Sequence, residues 1–189
     1  IVSASSKTAI GLAQGLAETD DSPKIVGLTS NNNIQFVESL GCYDQVISYD
    51  DLGSINNAPS VMVDMSGNQE VLSAVQNKLK EDLLKCLTVG MTHWEKGGTV
   101  DEALAQAELQ ERTEFFFAPA HIQKRIGDWG QEGYAEKTNA FMTRRAKQSN
   151  DWMKIKKITG LDNFSETYKE VVAGNINPNE GIIVEVYDA

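Results

Sequence analysis

Short apolar runs alternate with stretches of helical spacing through the first half of this 189-residue chain. A parallel pair of strands needs a crossover of about a dozen residues, and a helix usually supplies it. The alternation therefore predicts an α/β fold, a doubly wound parallel sheet with helices on both faces. The runs interpreted as strands are residues 1–2, 24–29, 45–49, 60–65 and 86–90.

The pattern is less regular after Gly90. The triplet Phe115-Phe116-Phe117 predicts a sixth strand or a sheet-edge anchor, and helical spacing returns in part over residues 121–149. A basic patch at 154–157 is interpreted as a solvated face. Asn163 and Glu166 are interpreted as a capping box, and residues 181–186 as a final strand. We predict a Rossmann-like nucleotide-binding core over residues 1–120, with residues 121–189 completing the same domain.

The first strand ends in a turn of small residues that leads into a helix, Ser3-Ala4-Ser5-Ser6-Lys7-Thr8. Ligands of such sheets bind at this turn, because backbone N–H groups and the helix dipole favour phosphate there. The glycine fingerprint G-x-G-x-x-G is absent, and serines stand in its place. Two interpretations stay open. Either Ser5, Ser6, Lys7 and Thr8 bind phosphate, or the segment is a plain strand–turn–helix with a serine cap. The Ser-Lys-Thr sequence also resembles part of a Walker loop, but the glycine frame of that loop is missing.

Polar residues follow the second strand as well. Thr29, Ser30 and Asn31 stand where NAD enzymes usually have a carboxylate for the ribose 2′-hydroxyl. The lack of a carboxylate makes NADP easier to accept than NAD, although no Arg or Lys stands close in sequence to pair with its 2′-phosphate. The alternative is a helix cap followed by an asparagine-rich loop.

The loops after the fourth and fifth strands would flank a nicotinamide. Gly67 and Asn68 follow one strand, and Gly90 and Thr92 follow the other. Asp64, in the first of these segments, is interpreted either as a site residue or as a helix-start or ladder residue. Nearby His93 is interpreted as a proton shuttle or, beside Trp94, as a packing residue, and His121 as structural.

Composition excludes several classes of function. The net charge of −10 argues against nucleic acid as a non-specific partner, since such binding needs clustered Lys and Arg. Two cysteines far apart and two histidines give no spacing typical of a metal site. No apolar run approaches the roughly 20 residues needed to span a bilayer. The cysteine usage suits a reducing cytoplasm, and we expect a cytoplasmic protein.

The residues resemble the cofactor domain of medium-chain dehydrogenase/reductases, in their quinone-oxidoreductase-like branch. The resemblance depends on the order of short motifs. Leu40-Gly41-Cys42-Tyr43-Asp44 leads to Ser48-Tyr49, and Val63-Asp64-Met65-Ser66-Gly67 precedes Val89-Gly90. The chain as a whole is most similar to an uncharacterised bacterial family related to those enzymes.

This resemblance implies a Rossmann domain, NADP as the cofactor, a small-molecule substrate and a homodimer. It places Tyr49 near the adenosine end of the cofactor. It also implies an amino-terminal substrate domain outside this sequence, so no catalytic residue is assigned. The alternative function is a non-catalytic Rossmann-like binding module that has lost dinucleotide binding.

Overall fold

The computed structural model describes residues 1–89 and 111–186. The chain divides into two compact units, Ile1–Lys137 and Thr138–Ala189, and each is described by itself. Within the described ranges, no helix combines the length and the apolar character needed to cross a bilayer.

The first unit alternates strands and helices as the sequence predicts. Its strands are β1 (Val26–Thr29), β2 (Gln45–Ser48), β3 (Ser60–Asp64), β4 (Leu83–Thr88) and β5 (Thr113–Phe115). Its helices are α1 (Lys7–Ala17), α2 (Ile34–Ser39) and α3 (Gln69–Leu79). Short 3₁₀ turns occupy Asn31–Asn33, Tyr49–Ser54 and Lys80–Asp82. Helix α4 (Ala118–Ser149) is interrupted at Gly130, whose φ is +73°.

All strand pairs of the first unit are parallel, and the segment around Val2 joins them into one sheet. Val2 bridges Leu28 of β1 on one side and Asp64 of β3 on the other. The order across the sheet is therefore β2, β1, the Val2 segment, β3, β4 and β5. Counted from the Val2 segment, this is the 3-2-1-4-5-6 order of the doubly wound dinucleotide-binding fold. The predicted fold class is confirmed, including the sixth strand at Phe115.

The core follows from the apolar residues of the strands and of α3. Val2, Leu28, Ile47 and Met62 are buried against the face of α3, which contributes Val71, Leu72, Val75 and Leu79. A second cluster joins Ala13 of α1 to Ile25 and Cys42. These contacts fix the crossover helices against the sheet and hold the strand ends in register.

The second unit contains a smaller parallel arrangement. Strand β6 (Lys154–Thr159) pairs with β7 (Glu180–Glu185), and helix α5 (Leu161–Val172) connects them. The sequence interpretation of residues 154–157 as a solvated face missed β6. Its lysines are exposed as expected, but Ile158 is buried and the backbone pairs along the whole strand.

The start of α5 also differs from the prediction. The helix begins after Gly160, and Asn163 lies inside it, where its Nδ2 donates to the carbonyl of Thr159. Asn163 is therefore not a cap. That residues 121–189 complete the same domain as the core stays a prediction, as does the amino-terminal substrate domain.

Candidate functional site

The candidate site lies at the edge of the first unit's sheet where the parallel strands end. The serine turn, defined here as residues 3–6, follows the central Val2 segment. Val2 bridges both β1 and β3, so these two strands are its neighbours in the sheet. They end at Thr29 and at Asp64. Ligands of doubly wound sheets bind at this carboxyl edge.

The serine turn has a backbone conformation that usually requires glycine, although it contains none. Ser3 has a φ of +63°, in the left-handed region that favours glycine. The Ser6 N–H donates to the Ser3 carbonyl at 2.9 Å, which closes the turn. Ser6 then caps α1, since its Oγ accepts from the Ala9 N–H. The helix begins at Lys7, so its first turn and the positive end of its dipole face this edge.

Two tyrosines from distant parts of the chain hold the serine turn. The hydroxyl of Tyr43 donates to the Ala4 carbonyl at 2.9 Å, and the hydroxyl of Tyr49 accepts from the Ser3 N–H at 3.1 Å. Burial raises the pKa of Tyr43 and the pKa of Tyr49 above the usual value. Both phenols are therefore neutral near pH 7, and they act in the observed geometry as hydrogen-bonding supports.

Tyr43 reaches the turn because β1 has a glycine beneath it. A Cβ added at Gly27 would lie 2.8 Å from Cδ1 of Tyr43 and 3.0 Å from Cβ of Ala4. Both distances are too short for normal packing. Gly27 thus permits the close approach of strand, ring and turn, which is a common reason for glycine inside a strand.

The hydroxyl of Ser5 joins the turn to the end of β1. It lies 3.4 Å from Oγ1 of buried Thr29 and 3.2 Å from Nδ2 of Asn33. Ser30 immediately precedes the 3₁₀ turn that contains Asn33, and its side chain makes no capping hydrogen bond there. Asn31, in the same turn, donates through Nδ2 to the carboxylate of Asp50, which follows β2.

The neighbouring turn, the Asp64 turn (residues 64–68), is held from within. The buried carboxylate of Asp64 accepts from Oγ and N–H of Ser66 and from the N–H of Gly67. Ser66 in turn accepts from the N–H of Asn68. The side chain of Asn68 caps α3 by accepting from the N–H groups of Glu70 and Val71. Asp64 therefore acts as a ladder and turn residue, which was one of its two interpretations.

The predicted site residues fall into two groups. One edge of the sheet brings together those of the serine turn, the end of β1, the start of the turn after β2 and the Asp64 turn: Ser5, Ser6, Lys7, Thr8, Thr29, Ser30, Asn31, Tyr49, Gly67 and Asn68. Gly90 and Thr92 lie outside the described residues, as does His93. The cofactor contacts assigned to all of them stay predictions. His121 stacks on Phe116 at a ring distance of 4.4 Å, in keeping with a structural role.

Sequence reasoning missed four contributors to this edge, namely Gly27, Asn33, Tyr43 and Asp50. Only Gly27 carried a signal, since a glycine within an apolar strand often marks a close approach. The other three act through contacts to residues 19 to 39 positions away. No local pattern indicates such contacts.

Two shallow grooves lie at the opposite edge, where the strands begin. One, of about 770 Å³, includes Asn57, Leu83 and Arg112 in its lining. The other, of about 380 Å³, includes Lys24, Ile25 and Asp44. Ligands of this fold bind at the carboxyl ends of the strands, so neither groove is the candidate cofactor site. In the described part of the chain, no cluster of His, Cys, Asp and Glu is arranged to hold a metal ion.

Comparison with known proteins places the chain in a family and supports the fold. The sequence profile of one family matches residues 1–177. The chain belongs to that family, described as "Protein of unknown function (DUF2855)". A comparison with curated proteins gave no match.

A solved structure with the same fold is that of CurA in complex with NADPH from Vibrio vulnificus, with a TM-score of 0.60 and 12% sequence identity. The alignment covers 100% of this chain and 56% of the CurA chain, so this sequence spans little more than half of that protein's length. At this identity the likeness shows the fold alone, a Rossmann-type arrangement.

Proposed function

We propose that this chain is the nicotinamide-dinucleotide-binding part of an oxidoreductase of the medium-chain dehydrogenase/quinone reductase type. The observation that carries the proposal is the turn from the central strand into α1. It lies at the point where the strand order reverses, which is where doubly wound sheets bind dinucleotides. The likeness to CurA, whose structure was solved in complex with NADPH, supports the same assignment.

The shape of the serine turn supports pyrophosphate binding there. The φ of Ser3 reproduces the bend that the fingerprint glycine normally makes, and residues 3–6 have small side chains that allow close approach. The first turn of a helix has backbone N–H groups without intrahelical acceptors. Its partial positive charge, together with the Lys7 side chain at the first helical position, favours a bound anion.

The remaining residues would orient the rest of the cofactor. Thr29, Ser30 and Asn31 would face the adenosine ribose, and Gly67 and Asn68 the nicotinamide half. A bound nicotinamide would supply the hydride, whereas the protein supplies binding, orientation and exclusion of water. The small-molecule substrate, the homodimer and the cytoplasmic location come from the sequence alone and stay predictions.

Whether the site prefers NADH or NADPH depends on the negative charge of Asp50, which lies 19 residues from Asn31 in the sequence. The lack of a carboxylate directly after β1 makes NADPH easier to accept. The structure brings the carboxylate of Asp50 to Asn31 from the next strand. The resemblance favours NADPH, and this contact opposes it.

The test is a titration of the chain with NADH and with NADPH, followed by tryptophan fluorescence. We expect saturable binding of at least one dinucleotide. Lys7→Ala should weaken that binding about tenfold or more, as expected for losing a charge-assisted hydrogen bond to phosphate. Lys24→Ala is the matched control, since Lys24 precedes β1 at the opposite edge and should leave the affinity unchanged. If neither dinucleotide binds, the proposal fails.

A second candidate function is a binding module without dinucleotide chemistry. It is favoured by one observation, that the hydroxyls of the serine turn already have protein partners. Ser6 caps α1, and Ser5 contacts Thr29 and Asn33. A hydroxyl must give up such a contact or share it in order to bind phosphate. Absence of binding for both dinucleotides would support this second function.

A further inference from the structure

We infer that the Asp50–Asn31 pair selects NADH over NADPH at this site. The inference rests on the proposed function and concerns only the adenosine end of the dinucleotide. Asp50 would accept a hydrogen bond from the ribose 2′-hydroxyl of NADH, and the same carboxylate would repel the 2′-phosphate of NADPH.

The pair occupies the right position in the sheet. Strands β1 and β2 are parallel neighbours, and Thr29 at the end of β1 is in register with Ser48 at the end of β2. Asn31 and Asp50 each lie in the 3₁₀ turn that follows its strand. Both residues are exposed, so a ligand above this edge can reach them.

Two hydrogen bonds hold Asp50, one through its backbone and one through its carboxylate. The N–H of Asp50 donates to Oγ of buried Ser48 at 3.1 Å, which sets the backbone at the strand end. Nδ2 of Asn31 donates to Oδ2 of Asp50, which orients the side chain. A carboxylate oxygen has more than one lone pair, so the group keeps acceptor capacity for a ribose hydroxyl. In the usual arrangement this acceptor comes from the end of the strand equivalent to β1, and here it comes from the strand beside it.

The surrounding charges also disfavour the 2′-phosphate of NADPH. The sequence has no Lys, Arg or His between Lys24 and Lys78, the segment that supplies β1, α2, β2 and β3. The same segment contains six carboxylates: Glu38, Asp44, Asp50, Asp51, Asp64 and Glu70. These elements therefore offer no countercharge to a 2′-phosphate, which carries between about −1.5 and −2 near pH 7. Of the two lysines among residues 1–24, Lys24 precedes β1 at the opposite edge, and Lys7 is the one that the proposed function assigns to the pyrophosphate.

The experiment compares dissociation constants of NADH and NADPH for the unmodified chain and for Asp50→Asn, by fluorescence or calorimetry. We expect NADH to bind about tenfold more tightly than NADPH, the size expected for one close charge repulsion in an exposed site. In Asp50→Asn, which keeps the shape of the side chain and removes its charge, the ratio should fall to near one. Raising the salt from about 0.01 M to 0.15 M should also narrow the ratio for the unmodified chain, because the Debye length shortens from about 30 Å to 8 Å.

Asp51→Asn is the matched control, because it removes the same charge from the adjacent residue. The side chain of Asp51 is exposed, and its carbonyl rather than its carboxylate accepts from Ser54. In Asp51→Asn the ratio of the NADPH and NADH dissociation constants should change less than about twofold, since an exposed charge that does not contact the ligand is screened. If both dinucleotides bind but NADPH binds as tightly as NADH, or if Asp50→Asn leaves the ratio unchanged, this inference is overturned and the proposed function stands. If neither binds, both are overturned.

Discussion

The serine turn and the Asp64 turn end neighbouring parallel strands, yet they are held in opposite ways. The serine turn depends on distant partners, with Tyr43 and Tyr49 lying 39 and 46 residues from the groups they contact. The Asp64 turn is closed by its own side chain, since the Asp64 carboxylate accepts hydrogen bonds from residues two and three positions ahead. One edge of a sheet thus combines a turn stabilised by tertiary packing with a turn stabilised by its own sequence.

The difference explains what each turn is suited to do. A turn closed by its own side-chain hydrogen bonds is specified largely by the local sequence. A turn held from outside positions its backbone N–H groups relative to β1 and β2 at the same time. We expect that coupling to suit a ligand that extends across several strand ends.

The largest expected effect comes from breaking the Asp64 turn. Asp64→Ala removes the acceptor of the Ser66 N–H, the Ser66 hydroxyl and the Gly67 N–H. A lost buried hydrogen bond costs about 1 kcal/mol or more, so the free energy of unfolding should fall by about 3 kcal/mol. Urea denaturation followed by circular dichroism measures this change. Exposed Asp51→Ala serves as control and should shift it by less than about 0.5 kcal/mol. A fall below about 1 kcal/mol for Asp64→Ala would show that the turn has other supports.

An intermediate effect is expected from crowding the distant supports of the serine turn. Gly27→Ala places a methyl group against the Tyr43 ring and Ala4, and overpacking of this kind costs about 1–3 kcal/mol of unfolding free energy. Gly53→Ala is the control, because nothing lies within 4 Å of a Cβ there. Combining Gly27→Ala with Tyr43→Ala should cost less than the sum of the two single changes, since the clash is then relieved. Additive losses would mean that Tyr43 and Gly27 do not support the turn jointly.

The smallest effect, and the only increase in stability, is expected at Ser3, where the backbone of the serine turn bends. Ser3→Gly should raise the free energy of unfolding by up to about 1 kcal/mol, because a side chain at positive φ is strained and glycine is not. Ser3→Ala keeps the Cβ and so should give no gain. The same denaturation curves measure both variants. Equal stability for Ser3→Gly and Ser3→Ala would show that the positive φ of Ser3 carries little strain.

Much of the fold was predictable from sequence, for physical reasons that differ between elements. Strand β1 is a short apolar run with three of its four residues buried, and α3 presents Val71, Leu72, Val75 and Leu79 at helical spacing. Strand β6 was missed because four of its six side chains are exposed and polar, so its pairing with β7 left no apolar run to recognise. Part of the candidate site was equally visible, since serines beside Lys7 follow a strand.

The sequence by itself determined the alternation of strands and helices, the polar residues at the strand ends and the local chemistry of the Asp64 turn. These features are encoded over a few neighbouring residues, where periodicity and side-chain hydrogen bonds act directly on the backbone. Only the tertiary structure decided that Val2 lies between β1 and β3, that Tyr43 passes over Gly27 to reach Ala4, and that Asp50 meets Asn31. Each of these depends on strand order and register, which bring together residues far apart in the chain.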